Sequence, residues 1–218
     1  MDPKSLNLWK QQLVTLPASL WEQTGLESLI LADNGLAVLP EAIGALTNLH
    51  TLDLGHNQLA ELPESLGQLT GLSEYLYLHD NKLTVFRESL FKRMIRLRYL
   101  NISDNQLRRL PDTIGHLRSL EELRADGNQL DALPASCQGL ERLHELHLRN
   151  NQFREVPGPL RGLPRLAFLD LRGNPFTELP RWIVEWPNLQ KLDLRWVKLS
   201  SVPEAVGALE ERGCRVLL

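Results

Sequence analysis

The sequence predicts an α/β solenoid, in which short units of one strand and one helical arc stack in a row. An asparagine recurs with spacings of 23 or 24 residues, at Asn34, Asn57, Asn81, Asn105, Asn128, Asn151 and Asn174. Leucines keep fixed distances from each asparagine, and around Asn57 they are Leu49, Leu52, Leu54, Leu59 and Leu62. A fixed period in this range is typical of stacked repeats.

The residues on either side of each asparagine predict the two elements of the unit. Before Asn57, the segment Thr51–Gly55 alternates leucine with small or polar residues, and a period of two is typical of a strand with one buried face. After Pro63, the spacing of Leu66 and Leu69 is helical, so a short α- or 3₁₀-helical arc should begin there. Strands one unit apart should pair in parallel on the concave side, because the bulkier arcs need more room.

Two further units with altered anchors extend the array. Gln11 precedes Asn34, and Val197 follows Asn174, each at a distance of 23 residues. Both are followed by the same spacing of apolar residues and a proline. The chain 1–218 is therefore predicted to be a single domain of about nine repeats.

The two ends of the array differ. Residues 204–218 should form a cap, with a helix that stops at Gly213 and a final strand whose inward residues are Cys214, Val216 and Leu218. The first strand, around Leu6–Trp9, has no such cover and could present a bare edge.

Each asparagine has a physical role at the end of its strand. Its side-chain amide carries both a donor and an acceptor, so it can bond backbone groups of its own and neighbouring turns. We expect this asparagine ladder to need a repeat on each side, which would explain the exceptions Gln11 and Val197.

The pattern LxxLxLxxNxLxxLPxxIxxLxxL, seen in Leu26–Leu46 and Leu49–Leu69, resembles the leucine-rich repeat family. Its second half, LPxx(I/L)xxL, is similar to the short repeats of bacterial and plant intracellular members. The resemblance implies a right-handed horseshoe with a ligand-binding concave face. It implies no particular ligand.

One repeat departs from the pattern. The segment GLSEYLYL carries one residue too many, which predicts a bulge near Ser73 and Glu74. The bulge is either neutral or re-aims Tyr75 and Tyr77, and it could rotate Tyr75 off the concave face. The following arc has Phe86-Arg87 where leucine and proline stand elsewhere.

Residues six, four and two positions before each anchor should line the concave face. From them we predict a partner-binding set of Tyr75, Tyr77, His79, Tyr99, Asn101, Arg124, His147, Arg149, Phe168, Arg172 and Arg195. The set includes all three tyrosines of the protein, and tyrosine and arginine are frequent at binding hot spots. Tyrosines also simply suit strands. In the later repeats, acids such as Asp170 and Asp193 can neutralise the arginines, so ligand contact there is an open alternative.

Catalytic and metal chemistry are not predicted. His144 and His147 do not form an HExxH motif and should face opposite ways on a strand. Four further side chains could lie close together in the fold, but we do not expect them to bind a metal: His56, His79, Asp53 and Asp80. Cys137 occupies a core position. The sequence has no phosphate loop and no nucleophile elbow, so neither enzyme activity nor a cofactor is expected.

Charge and composition bear on partners and location. The net charge of -3 predicts no attraction to nucleic acid or an anionic membrane. Six basic residues lie close together in the sequence but hold different repeat positions, so we expect them on several faces of the solenoid and not in one nucleic-acid-binding patch: Lys92, Arg93, Arg96, Arg98, Arg108 and Arg109. The start MDPKSLNLWKQQ lacks the apolar stretch of a secretory signal, and two cysteines make no disulfide framework. We expect a cytoplasmic protein or, alternatively, an effector exported without a cleavable signal.

These observations predict a protein–protein interaction module that binds a partner protein or peptide on its concave face. We expect a monomer, although the bare N-terminal edge could allow a dimer. Two alternatives stay open. The chain could be the substrate-recognition component of an enzyme system, such as a ubiquitin ligase effector or a kinase, or a self-associating structural protein.

Overall fold

The computed structural model describes residues 4–218 and contains one parallel sheet in which ten strands follow the order of the chain. The strands are β1 (Ser5–Asn7), β2 (Ser28–Ile30), β3 (Thr51–Asp53), β4 (Tyr75–Tyr77), β5 (Tyr99–Asn101), β6 (Glu122–Arg124), β7 (Glu145–His147), β8 (Phe168–Asp170), β9 (Lys191–Asp193) and β10 (Arg215–Leu217). The central leucine of each strand from β1 to β9 lies opposite its equivalent in the next, as Leu76 lies opposite Leu52 and Leu100. This arrangement confirms the predicted repeat solenoid.

Short 3₁₀ helices supply the arcs of the described repeats, at Ala18–Glu22, Glu41–Ala45, Glu64–Gln68, Asp112–His116, Ala135–Gly139, Gly158–Gly162 and Arg181–Glu185. Each is preceded by a proline outside the helix, as Pro63 precedes Glu64. An acidic residue at the start of one helix can cap the helix of the next repeat. The Glu41 carboxylate accepts the backbone N–H groups of Glu64 and Ser65 at 3.1 and 2.8 Å, so the arcs are linked as well as stacked.

The leucine stripe between sheet and arcs forms the core. Leu100, Leu123 and Leu146, five residues before their anchors, are 0%, 1% and 1% exposed, which confirms the predicted register. Cys137 is also buried, as predicted, and burial raises the pKa of its thiol to about 12. Because the thiolate is the nucleophilic form, this cysteine is an inert core residue.

The asparagine ladder is built as the sequence predicts. The Asn105 Nδ2 donates to the carbonyls of Leu78, Ile102 and Ser103 at 3.0, 3.2 and 3.1 Å. Its Oδ1 accepts the backbone N–H of Leu83 at 3.0 Å. The other six anchor asparagines make the same four contacts, as the bonds of Asn34 and Asn174 show at either end of the series.

The direction of the ladder corrects one expectation. Leu78 and Leu83 belong to the repeat before Asn105, so an anchor needs a neighbour on its N-terminal side only. Gln11 is the first anchor of the described chain, and its side chain bonds Trp9 within its own turn. Val197 has a repeat on the required side, and nothing in the structure explains why it is not asparagine.

The extra residue in the fourth repeat is absorbed before the strand. The N–H groups of Ser73 and Glu74 both donate to the His50 carbonyl, at 3.3 and 3.1 Å. Tyr75 then lies in register opposite Thr51 and Tyr99. The irregularity therefore leaves Tyr75 on the concave face, and the expected risk that it is rotated away is not realised.

The arc of the same repeat is irregular. Turns replace the 3₁₀ helix after Phe86 and Arg87, and Phe86 and Phe91 fill the interior with their rings 5.5 Å apart at 75°. Glu88 nevertheless accepts the N–H groups of Asp112 and Thr113 at 3.2 and 3.3 Å. The link between successive arcs thus survives the loss of the helix.

The C-terminal segment follows most of its prediction. Helix α1 (Glu204–Glu211) is followed by Gly213 in the left-handed region, at φ 85°, and β10 pairs with β9. Cys214 is buried and Val216 packs against the core. Leu218 is 56% exposed, so its predicted inward position is wrong. It lies beyond the last residue of β10, where sheet pairing no longer fixes its direction.

The opposite edge of the sheet is β1, which pairs with β2. Trp9, just beyond this strand, is 54% exposed. Over residues 4–218, no helix combines the length and the apolar character needed to cross a lipid bilayer.

Candidate partner-binding face

The strands hold the predicted binding residues on one surface. In a three-residue strand the middle side chain points into the core, and the first and third point to the concave face. Leu76 is fully buried between Tyr75 and Tyr77 on β4, and Tyr99 occupies the first position of β5. The sheet therefore brings together three tyrosines from two adjacent repeats.

We call Tyr75, Tyr77 and Tyr99 the tyrosine cluster. The ring centroids of Tyr75 and Tyr77 are 5.8 Å apart at 13°, and Tyr99 lies 5.6 Å from Tyr75 and 5.1 Å from Tyr77. Such separations are typical of stabilising aromatic pairs. Tyr75 is 44% exposed and the other two are half-buried. The cluster is thus a continuous aromatic surface whose members order one another.

The hydroxyl groups of Tyr77 and Tyr99 stay protonated over a wide pH range. Burial raises the pKa of Tyr99 to about 12 and also raises the pKa of Tyr77. A neutral phenol both donates and accepts hydrogen bonds. The surface therefore combines apolar rings with polar groups that carry no charge.

Two histidines extend the aromatic surface. The His79 ring lies 5.9 Å from that of Tyr77 and 4.7 Å from that of His56, and the His56 Nδ1 is 2.6 Å from an Asp80 carboxylate oxygen. Burial, and then the neighbouring His56, lowers the pKa of His79. The His79 ring covers Gly55, since a Cβ there would lie 2.3 Å from it. Glycine at position 55 makes room for this ring.

On some strands the residue four positions before the anchor is Asn or Asp, and its side chain bonds the backbone where the strand ends. The Asn101 Oδ1 accepts the Ser103 N–H at 3.0 Å. The Asp170 Oδ1 accepts the Arg172 N–H at 3.1 Å, and Asp53 makes the same contact with Gly55 at 2.9 Å. Asn101, predicted to contact a partner, is therefore partly committed to its own backbone.

The later repeats carry a second surface, which we call the Asp–Arg pairs: Asp170 with Arg172 and Asp193 with Arg195. The Arg172 guanidinium grips Asp170 at 2.5 and 2.9 Å, and Arg195 holds Asp193 at 2.8 and 3.0 Å. Burial alone would raise the pKa of Asp193, but the hydrogen bonds from Arg195 outweigh it and lower the pKa. Arg172 and Arg195 are therefore already paired with acids, which agrees with the alternative that Asp170 and Asp193 neutralise them.

Cation–π contacts engage further residues of this region. The Arg172 guanidinium lies 5.6 Å from the Trp196 ring centroid, and the Lys191 ammonium lies 4.6 Å from that of Phe168. Phe168, Arg172 and Arg195 therefore lie on the predicted face, but each contacts a neighbour within the chain.

The two middle repeats connect these surfaces. The Arg124 Nε donates to Glu122 at 2.6 Å. The Arg149 backbone N–H donates to Asp126 at 2.9 Å, and its Nε is buried without a hydrogen-bond partner. The His147 Nε2 is likewise buried and unpartnered. Of the predicted arginines, Arg149 thus has a donor that its surroundings leave unsatisfied.

Sequence reasoning missed a backbone feature that shapes the rim of this face. The residue before each anchor has a positive φ, for example 53° at His56 and 49° at Asp80. Gly127 and Gly173 hold the same position at 62° and 66°. Asn, Asp, His and Gly adopt this conformation more easily than other residues, so the recurrence of these types before the anchor was the available signal.

The family assignment follows from sequence comparison as well as from the fold. Models described as leucine-rich repeats match residues 24–69, 72–130 and 142–163. The chain belongs to the leucine-rich repeat family. No curated protein matches it. Domains of this family generally serve as non-catalytic interaction modules.

Solved structures of related repeats superpose over nearly the whole chain. A leucine-rich repeat protein of Leptospira interrogans is 29% identical, with a TM-score of 0.75, and the match covers 99% of this chain and 67% of that one. The repeat domain of the type III effector XopL is 26% identical, with a TM-score of 0.81, and coverage is 99% and 76%.

A third match is the ectodomain of the Arabidopsis thaliana receptor kinase GASSHO1/SCHENGEN3, in complex with CASPARIAN STRIP INTEGRITY FACTOR 2. It is 28% identical with a TM-score of 0.71, and the match covers 93% of this chain and 28% of that one. The present chain thus spans less than a third of that ectodomain. Together, the fold and its relatives support a protein-interaction module.

Proposed function

We propose that this module binds a partner protein or peptide on its concave face, with the tyrosine cluster as the anchor. The observation that carries the proposal is the mutual packing of Tyr75, Tyr77 and Tyr99 on rigid parallel strands. Side chains that are ordered before a partner arrives lose little conformational entropy on binding. Tyrosine adds a large ring and a hydroxyl with few rotatable bonds, so its contacts are often strong.

The flanking residues would have secondary roles. His79 and Asn101 border the cluster, whereas Arg124 and Arg149 lie towards the charged repeats. The Arg149 Nε has no hydrogen-bond partner but is buried, so a partner would reach this atom only if the side chain moved. Phe168, Arg172 and Arg195 would contribute less, because a partner must first displace their contacts within the chain.

The test requires a captured partner and matched variants. The protein would be used for affinity capture, and the Kd of the partner would be measured for the wild type and for Tyr75→Ala, Tyr77→Ala and Tyr99→Ala. We expect at least one substitution to weaken binding by about 2 kcal/mol or more. Glu64→Ala and Asp112→Ala, exposed residues on the arcs, should change affinity by less than about 0.5 kcal/mol.

A specific outcome would reject the site. If a partner tolerates the triple tyrosine variant but is lost when arc residues are changed, the anchor is not the tyrosine cluster. Melting curves of each variant would verify that the fold survives, since none of the three tyrosines is fully buried.

The cellular setting belongs to the same proposal. We expect a cytoplasmic monomer without enzyme activity that binds protein in preference to nucleic acid. Cys137 and Cys214 are free and buried, and free thiols are common in reducing compartments. Light scattering would detect a dimer through the β1 edge, and cell fractionation would test the location.

A further inference from the structure

A group of three potential metal ligands lies between the tyrosine cluster and the Asp–Arg pairs. Glu122 on β6 and Glu145 on β7 are direct neighbours across the sheet, and His147 is two residues further along β7. One ligand atom from each side chain lies within 4.8 Å of the other two. Over residues 4–218 this is the one set of three or more His, Cys, Asp or Glu side chains with such geometry.

The imidazole of His147 is the informative member. Its Nε2 is buried and has no hydrogen-bond partner, which is unusual for a buried polar atom. The nearest oxygens are Glu145 Oε2 at 3.5 Å and Glu122 Oε1 at 3.7 Å. Both separations are too long for a good hydrogen bond. The nitrogen therefore lies close to two carboxylates without a hydrogen bond to either of them.

The spacing of the three ligand atoms is compatible with a coordinated ion. Zinc binds imidazole nitrogen and carboxylate oxygen at about 2.0–2.2 Å, so two ligands of a tetrahedral site lie roughly 3.3–3.5 Å apart. The nitrogen-to-oxygen distances of 3.5 and 3.7 Å approach this value. Small rotations of the two glutamate side chains, which are 22% and 38% exposed, are enough to close the difference.

We propose that Glu122, Glu145 and His147 form a binding site for a divalent transition-metal ion, with zinc as the best fit. Three protein donors would leave a fourth coordination position for a water molecule or a further ligand, as at many zinc sites. The mixed nitrogen and oxygen donors favour zinc over calcium and magnesium, which prefer oxygen ligands. This proposal departs from the expectation, drawn from sequence, that the chain has no metal site.

A neighbouring arginine restricts how Glu122 can take part. The Arg124 Nε donates to Glu122 Oε1 at 2.6 Å, the same oxygen that lies 3.7 Å from His147 Nε2. An ion must therefore share this oxygen with Arg124 or bind Glu122 through its other oxygen, in which case Arg124 orients the carboxylate as hydrogen-bonded outer groups commonly do. The positive charge of Arg124 also offsets part of the repulsion between Glu122 and Glu145 while the ion is absent. Because the ligands project from paired strands, their backbone positions are fixed before binding.

The test titrates zinc chloride into the full chain after chelator treatment, with the heat of binding as the readout. We expect one zinc ion per chain. Glu145→Gln and His147→Gln should each weaken binding by about tenfold or more. The matched control is His144→Gln, which removes an exposed histidine three residues away and should leave the affinity unchanged. Replacing zinc with cobalt should give the visible absorption of a tetrahedral site.

Two results would overturn the proposal. One is the absence of zinc binding to the wild type, and the other is binding that persists in both ligand variants, which would indicate adventitious contact with surface histidines. Circular dichroism without metal would show whether His147→Gln folds. The more exposed Glu145→Gln keeps the test valid if it does not.

Discussion

The tyrosine cluster and the Asp–Arg pairs occupy equivalent positions on the same sheet, yet they leave very different groups exposed. In both, a buried leucine fixes the strand: Leu76 and Leu100 in the first, Leu169 and Leu192 in the second. Two of the tyrosine pairs contact each other at a tilt and one is stacked. The charged side chains instead form ion pairs, both within one repeat, as Asp170 does with Arg172, and between repeats, as Arg172 does with Asp193 at 3.6 Å.

This difference bears on which surface can bind tightly. A partner that covers the tyrosines removes apolar area from water without breaking an existing bond, and each buried ring contributes through its area. A partner that covers Asp193 and Arg195 must desolvate an ion pair that is already satisfied, and that cost can cancel the gain. On the proposed function, a common scaffold would therefore carry one surface suited to tight binding and one surface whose charged groups are largely paired with one another.

The largest expected effect is on stability, and it tests whether the two regions of the sheet are packed in the same way. Leu100 and Leu169 are both 0% exposed and central in their strands. Leu→Ala at either should lower the free energy of unfolding by about 2–5 kcal/mol, because each leaves a cavity. Denaturant unfolding would measure this. A loss near zero at one site only would show that the two regions differ in packing as well as in exposed chemistry.

The next effect separates stability from binding. Asn105→Ala, beneath the tyrosine cluster, and Asn174→Ala, beneath the Asp–Arg pairs, each remove one four-bond anchor. Both should cost roughly 1–3 kcal/mol of stability, because buried backbone groups lose partners. Val197→Ala, which removes only apolar contact, is the control.

Affinity for a captured partner should then distinguish the two anchors. Asn105 joins the repeats that carry Tyr77 and Tyr99, so its loss should weaken binding as well as stability. Asn174→Ala should leave affinity unchanged under conditions where the protein is folded. Equal loss of affinity for both variants would argue against a site confined to the tyrosine cluster.

Most of the fold could be predicted from the sequence because one spacing rule repeats along the chain. The period identified the anchors, the alternation identified the strands, and the prolines marked the arcs. The sequence did not predict which neighbouring repeat each asparagine bonds, because the amide of Asn105 could have reached the repeat on either side. Leu218 was misplaced because alternation was extended beyond the last paired residue of β10.

The candidate site was predictable in position and not in detail. The register placed Tyr75 and Tyr99 side by side, and their packing follows from that placement. Sequence could not show that Arg195 is held by Asp193 while Arg149 keeps an unsatisfied Nε, because these outcomes depend on rotamers. Glu122 is the first residue of β6, whereas His147 is the third residue of β7. The repeat pattern compares residues at the same position of successive strands, so it did not reveal that these two side chains lie close together.

The smallest effect uses pH to compare two aspartates on the same face. Asp53 lies opposite Tyr77 in the sheet, and burial raises its pKa above the ordinary value of 3.8 even though the Gly55 N–H bond opposes this. Asp193 has a lowered pKa, since its bonds to Arg195 outweigh burial. Ionised Asp53 therefore destabilises the folded state at neutral pH, whereas ionised Asp193 stabilises it.

Substitution by asparagine should give opposite results at pH 7, each on the order of 1 kcal/mol. Asp53→Asn should raise the Tm, because asparagine keeps an acceptor for Gly55 and carries no charge. Asp193→Asn should lower the Tm.

As the pH falls, the benefit of Asp53→Asn should vanish first, because the folded Asp53 protonates above pH 3.8. The cost of Asp193→Asn should persist to about pH 3.8 and be lost below it, as the folded Asp193 protonates. Melting curves from pH 7 to pH 3 would measure both. If the two variants shift the Tm in the same direction at pH 7, the contrast between an unpaired and a paired carboxylate on this face is wrong.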